Sequence, residues 1–328
     1  MDGFLIRLGF SLLLSFSVAA RALKRKSVDS SAVLVGIPIM VIHMLAGYRF
    51  AALLLVFFST SSKVTRLGEA KKRATDAEFK EGGQRNCLVL AIRNLYFHCN
   101  CVIFASMIHS ANFSPCFLMQ VWLILLYRIQ VLSNSIIATI LVVIFARITQ
   151  GHDRCLDSKD STVITALLGG IVGHYACCNG DTWSSELGML SSAQPRLITT
   201  FKKVRKGTNG GVTVHGLLAA VAAGFVIGVA FALVGMVTTE CSADIAKRQL
   251  FVVPIATAAG LFGSLIDSFL GATLQFSGYC TVRKKVVGNE GPTVVKISGA
   301  SILDNNAVNA VSILLTTLIT SVTCMYIF

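Results

Sequence analysis

The chain has 328 residues, of which 54% are hydrophobic and 14% charged, with a mean hydropathy of +0.71 and a net charge of +13. A soluble domain carries about 25% charged residues, so a water-soluble packed domain is excluded. No long polar block exists to carry catalysis outside a membrane, and the sequence reads as a single integral membrane domain over 1–328.

A membrane span needs about 20 mostly apolar residues, and in chain order such runs lie at about 3–20, 31–61, 86–110, 115–147, 161–178, 212–238, 249–275 and 306–327. The second and fourth are long enough for one tilted helix or a tight pair. The expected fold class is therefore an all-α polytopic membrane helix bundle of roughly seven to nine transmembrane helices. GFLIRLGFSLLLSFSVAARA has the apolar core and small residues of a signal peptide. Arg21, Lys24, Arg25 and Lys26 follow it, and read as the cytoplasmic flank of a retained first helix.

Four polar segments interrupt the apolar ones. The first, Ser61 to Asn86, mixes seven cations with four carboxylates. It reads as a helix ending in a Gly-Gly turn, with Arg85 as a polar site candidate beneath the KKR cluster. The second opens with CNGDTWSSELG and runs on to KKVRKGTNGGV. The third is the nearly charge-balanced TTECSADIAKRQ. The fourth, from about Ser277 to Asn309, contains ILDNNAVN. The cationic character of the second segment makes its face cytoplasmic, and the fourth shares that face. The balanced third segment and the C-terminus then lie on the opposite face. The excess cations fit the positive-inside rule and contact with anionic lipid, and some are placed to hold phosphate. Nucleic acid is excluded as a partner, because no soluble basic face exists to present.

Asp181 and Glu186 in CNGDTWSSELG have two readings. Asp181 caps a helix beginning at Thr182, or it sits near a break so that Glu186, in the next turn, converges with it on a hard cation such as Mg2+. On a continuous helix the two would diverge by more than a quarter turn. Lys203, Arg205 and Lys206 precede Gly207, Thr208, Asn209, Gly210 and Gly211, a glycine-rich loop opening a predicted helix. Backbone N–H groups at such a point bind anions. No GK[ST] follows, so this is not a Walker A loop. Asp267 lies inside an otherwise lipid-compatible helix and shares a face with Gly271 and Gln275 at i, i+4 and i+8. A helix-packing patch is the alternative. LDNNAVN places Asp304, Asn305 and Asn309 at the entrance of the last helix. Capping accounts for one of them. Asp181-Thr182-Trp183 and Asp267-Ser268-Phe269 each follow a Gly- and Ala-rich apolar segment, an echo that half-repeats would produce and chance would too.

None of the ten cysteines forms a CxxC pair. Neither a zinc site nor a disulfide framework is expected. His174 and His215 read as satisfied core residues.

KRKSVDSSA, FFSTSSKVTRLGEAKKR, EFKEGGQRN, NGDTWSSELG, PRLITTFKKVRKGTNGGVTV, GSLIDSFLGATLQ and ILDNNAVN occur in this order. In these motifs the chain resembles the transmembrane protein 19 family, the integral membrane family catalogued as domain of unknown function 92, which includes the plant phytyl-phosphate kinase. The family-like core covers about 21–87 and 161–328, whereas segment 88–160 is atypical. A looser similarity links Gly180-Asp181, Ser184 or Ser185, Gly188 and then Lys203, Gly207 and Thr208 to dolichol kinases, phytol kinases and phosphatidate cytidylyltransferases. Those enzymes use CTP and a divalent metal.

The resemblance implies a CTP-dependent prenyl-phosphate kinase, a transferase acting on an isoprenoid phosphate in a membrane such as the endoplasmic reticulum. Asp181, Glu186 and Asp267 would be its catalytic acids, and with Asp304 they would place Mg2+. Lys203, Arg205, Lys206 and the Gly207–Gly211 amides would hold phosphate, with the lipid tail among helices 212–238 and 249–275. Arg85, Gln275, Asn305 and Asn309 complete the polar candidates. A transporter or lipid flippase with an intramembrane acidic site is the alternative, and a non-catalytic scaffold ranks third.

Overall fold

The computed structural model describes residues 2–28, 30–75 and 134–328. The helices are α1 (Asp2–Lys24), α2 (Ser30–Ala46), α3 (Tyr48–Arg66), α4 (Glu69–Thr75), α5 (Ile136–Thr149), α6 (Ser158–Leu190), α7 (Val214–Thr238), α8 (Ala243–Gln249), α9 (Val252–Leu274) and α10 (Asn305–Ile327). The short strands are β1 (Arg196–Leu197), β2 (Gly211–Val212), β3 (Ser277–Cys280), β4 (Lys285–Val287) and β5 (Val294–Ser298). Among the described residues, five helical stretches are long and apolar enough to cross a membrane: Leu5–Lys24, Ser158–Leu190, Val214–Thr238, Ala243–Leu274 and Asn305–Ile327. Shorter apolar helices cover Ala32–Ala46 and Ile136–Thr149. The architecture is an all-α polytopic membrane bundle. The run expected at 86–110, Arg85, and residues 115–133 of the run expected at 115–147 lie outside the described residues.

The run 31–61 is a tight pair, parted at Gly47 beside the Phe50 ring. The larger correction concerns α6. Hydropathy ends this span at Cys178, yet the helix runs unbroken through CNGDTWSSELG to Leu190. It breaks nowhere near Asp181, so Asp181 caps nothing. The Asn179, Thr182 and Ser185 side chains each find a partner, so the helix continues. The Thr182 and Ser185 hydroxyls donate to the Cys178 and Asp181 carbonyls one turn back, both at 2.9 Å. Asn179, fully buried, accepts from Thr60 and Ser61 of α3 at 3.0 Å each and donates to the Ala223 carbonyl of α7 at 3.1 Å. The backbone is extended at Ser161, and from there to Leu190, at about 1.5 Å per residue, α6 is about 43 Å long, against a hydrocarbon core of about 30 Å. Its last turns therefore stand beyond the apolar layer.

Helix α6 is the axis of the bundle, with α3, α5, α7, α9 and α10 packed around it. The core joins Leu168, Ile171, Val172 and Tyr175 of α6 to Phe50 and Leu53 of α3, Phe145 of α5 and Ile227 and Phe231 of α7. Without a hydrophobic driving force between helices in lipid, small residues that let backbones approach are what hold such a bundle. At the α6–α9 crossing a Cβ on Gly180 would lie 2.4 Å from the Gly260 carbonyl oxygen.

The loops 191–213 and 275–304 meet at one end of the bundle. In the first, β1 and β2 pair antiparallel. In the second, β4, β3 and β5 form an antiparallel sheet in that order. Asn209 stitches the loops together, its backbone N–H donating to Ser277 Oγ at 3.0 Å and its amide to the Phe276 carbonyl at 3.1 Å.

The other end is cross-linked. Cys155 and Cys241 form a disulfide between the segment before α6 and the segment after α7. The spacing argument, which expected none, is corrected here: the pairing is made by the fold. Beside it Arg49, 2% exposed at the start of α3, pairs with Asp153 and stacks over the Phe231 ring at 4.6 Å. Asp153 also accepts from the Thr238 and Thr239 hydroxyls at 2.9 Å each. Gln249 holds both the N–H and the carbonyl of Leu156, at 2.8 and 2.9 Å.

Candidate functional site

Asp181 of α6 and Asp267 of α9 hold their carboxyl groups in hydrogen-bond contact, both half-buried. Two carboxylates in contact repel unless a proton or a cation stands between them. The first turns of α10 supply the support. Ser312 Oγ lies 3.0 Å from Asp267 Oδ2 and 2.9 Å from the Asn309 carbonyl, its one proton shared between them. With its amide nitrogen turned inward, Asn309 donates to Asp267 Oδ2 and to the Asn305 carbonyl, each at 3.1 Å. One oxygen of Asp267 is thus held by α10. Cys177 also lies beside this cluster, within reach of Ser312 and Thr316.

Glu186, five residues after Asp181 on the same continuous helix, is close enough to act on it electrostatically. Its own ion pair is with Lys72 of α4, at 2.5 Å. Lys72, 2% exposed, also donates to the Val64 and Thr65 carbonyls at the end of α3, at 3.2 and 2.8 Å. Asp304 stands apart: it is the N-cap of α10, accepting from the Ala307 N–H at 2.8 Å. The four acids named from sequence therefore do not close around one point. Among the described residues, no three His, Cys, Asp or Glu side chains are grouped as a metal cage.

The glycine loop sits one turn above Asp267. Gly210 has φ +76, a conformation L side chains rarely adopt, and a Cβ there would lie 2.5 Å from the Ser268 carbonyl of α9. Gly271, on the Asp267 face, meets Asn209 and Gly210, and Gln275 is the C-cap of α9. The N–H groups of Thr208, Asn209 and Gly211 already donate to Arg205, Ser277 and Thr208. The loop's amides are thus mostly engaged in fixing its own fold.

The cations before it divide. Lys203 is exposed, and Arg205 lies 4.0 Å over the Tyr279 ring. Lys206 donates to the Ser191 carbonyl and, at 3.5 Å, to that of Met189. Lys71 reaches the Leu190 carbonyl at 2.7 Å. Two ammonium groups thus converge on the negative, C-terminal end of α6. Desolvation, and then the neighbouring Lys71 charge, hold Lys206 below the ordinary lysine value. His174 is a core residue, fully buried with one ring nitrogen 3.0 Å from the Asn134 carbonyl and the other without a partner; His215, expected in the core too, is exposed, 3.2 Å from Ser191 Oγ.

Ser312 and Lys72 are the members of this cluster that sequence reasoning did not single out. A serine in an apolar helix bonds back to its own turn as a rule, and only the three-helix crossing shows where Ser312 points.

A multi-span helical bundle with polar residues gathered toward one end, around a pair of intramembrane acids, defines a polytopic integral membrane protein. The chain belongs to the family described as Integral membrane protein DUF92, whose model matches residues 13–129 and 127–317, a span that takes in segment 88–160. It is 55% identical to Protein PGR of Arabidopsis thaliana over 322 residues, 98% of each chain. It is 38% identical over 122 residues to a membrane protein of Methanocaldococcus jannaschii, covering 37% of this chain and 43% of that one. A membrane protein of Synechocystis is 32% identical over 106 residues, 32% of this chain and 37% of its own. No solved structure matches.

Proposed function

We propose that the protein transfers a phosphoryl group from a nucleotide such as CTP to an isoprenoid monophosphate at the cytoplasmic face of the membrane. The observation that carries this reading is the contact between Asp181 and Asp267 inside the bundle, beneath a cationic rim. Phosphoryl transfer is mostly positioning and charge neutralisation, so no nucleophilic side chain is required.

Magnesium is usually held by one or two carboxylates, with phosphates and water completing its shell. Asp181 and Asp267 fit that requirement, and a three-acid cage is not needed. Bound there, the ion would neutralise charge on the phosphoryl oxygens. Asn309 and Ser312 orient Asp267. Lys203 and the other exposed cations of the rim attract the nucleotide. Helices α7 and α9 are in close contact at Gly224, where a Cβ would sit 2.3 Å from the Ala256 carbonyl oxygen, so the tail runs along their outer surface. The exposed Phe262 and Phe269 of α9 and Ile319 of α10 give it an apolar flank.

The transporter reading fits less well. Alternating access moves helix groups against one another, and here the ends of α3, α6 and α7 away from the acids are tied by the disulfide and the Arg49–Asp153 pair. A disulfide also suits an oxidising compartment, which leaves the acid pair facing the cytoplasm. The test is the purified protein in nanodiscs with labelled CTP, other nucleotides, Mg2+ and a panel of prenyl monophosphates. Metal-dependent transfer that falls about 100-fold or more in Asp181→Asn is expected. No transfer from any nucleotide to any lipid of the panel would sink the reading.

A further inference from the structure

The loops 191–213 and 275–304 carry nine cationic side chains against Glu290 and Asp304. The loops at the opposite end are balanced: in 150–157 and 239–251, Arg154, Lys247 and Arg248 face Asp153, Asp157, Glu240 and Asp244. The cationic end also ends in two turns of similar make-up. One presents Phe201, then Lys202 and Lys203. The other presents Val282, then Arg283 and Lys284.

Phe201 is 67% exposed and Val282 73%. Phe201 adopts φ +55, and Lys284 adopts φ +52. A non-glycine residue in this left-handed region is strained, and a large aromatic there is out of place in a solvent-facing turn. The conformation is nonetheless fixed: the Phe201 N–H donates to the Leu197 carbonyl at 2.8 Å, and Arg196 donates to the Phe201 carbonyl at 2.8 Å. Nothing within the described protein buries the ring. The loops that bear the two turns are in contact, since Arg205 of the first lies over the Tyr279 ring of the second. Both hang from helices that leave the apolar layer at this end.

An apolar side chain followed by cations matches the bilayer interface: the ring enters the acyl boundary while ammonium and guanidinium groups meet lipid phosphates. Each such cation strengthens attachment to an anionic leaflet and contributes nothing comparable on a neutral one. We propose that the Phe201 and Val282 turns are a paired membrane-surface anchor that recognises anionic phospholipid headgroups of the leaflet beside the acid pair. The proposal does not require phosphotransfer, although the rim cations, Lys203 among them, serve in both readings; melting in nanodiscs without nucleotide tests the anchor alone.

The experiment is thermal melting of the full-length protein in nanodiscs of phosphatidylcholine, and of equal parts phosphatidylcholine and phosphatidylserine. The wild type should melt several degrees higher with phosphatidylserine. A variant carrying Lys202→Gln, Lys203→Gln, Arg283→Gln and Lys284→Gln should lose that difference while melting normally in phosphatidylcholine. A full difference retained by the variant overturns the proposal. So does inorganic phosphate in neutral nanodiscs reproducing it, which would assign the cations to a soluble anion. Independently, the emission that Phe201→Trp adds to the wild-type signal should be quenched by brominated acyl chains. No quenching of the added emission overturns the anchor.

Discussion

Asp181 on α6 and Asp267 on α9 touch through their carboxyl groups, and α10 holds one oxygen of Asp267 with Asn309 and Ser312. Three helices distant in sequence thus meet at a pair of like-charged groups, an arrangement that stability alone does not favour. Asp267→Asn should therefore leave the melting temperature equal or higher while lowering phosphotransfer about 100-fold. Melting and transfer measured on one preparation separate the roles. A lower melting temperature with unchanged transfer would make Asp267 a packing residue.

Lys72 and Glu186 join α4 to α6, and Lys72 also caps α3. Lys72 is buried and Glu186 half-buried, and Lys72→Met also leaves the Val64 and Thr65 carbonyls without their donor, so it should cost about 1–3 kcal/mol. The double change Lys72→Met with Glu186→Met should recover part of this, the remainder being the lost cap on Val64 and Thr65. Chemical denaturation in detergent micelles measures both variants. Equal losses in the single and double variants would show that the ion pair contributes nothing.

The cross-link at the opposite end closes a loop between residues 155 and 241. Cys155→Ser with Cys241→Ser should lower stability by about 2–4 kcal/mol. In sealed vesicles a membrane-impermeant reductant should reproduce this only from the side opposite the cationic loops. Reduction from the cationic side would reverse the orientation assigned to the chain.

Lys206 is held below the ordinary lysine value of 10.5 by desolvation and by Lys71. The folded state binds this proton more weakly than the unfolded chain. The unfavourable contribution is therefore present at lower pH, and is relieved as pH rises through the lowered value toward 10.5. Carbon-13 NMR of dimethylated lysines should show Lys206 titrating early, and Lys71→Gln should move it upward. An unmoved titration would assign the shift to desolvation alone.

The membrane bundle, the intramembrane acid at Asp267 and the gathering of polar segments at one end were all legible as hydropathy and residue type. The continuity of α6 was not. Hydropathy scores Asn179, Thr182 and Ser185 as breakers, whereas each closes its hydrogen bonds within a turn or against α3 and α7. The glycine loop was read as an anion nest from composition, and its amides turned out to be occupied by Arg205, Ser277 and Thr208. Asp304 and Asn309 looked alike in LDNNAVN. Five residues of helical rotation make the first a cap and turn the second toward Asp267. The bond between Cys155 and Cys241 left no trace in spacing, because only the packing of α6 on α7 brings their loops together.

That bond also decides how the molecule comes apart. Loop 191–213, with its run of exposed lysine and arginine side chains, is open to trypsin, and it lies wholly between Cys155 and Cys241. A single cut there severs the backbone but not the molecule, since the N-terminal piece carrying α6 stays covalently attached to the piece carrying α7. On a denaturing gel the nicked protein should run as one band until a thiol reductant is added, and as two afterwards.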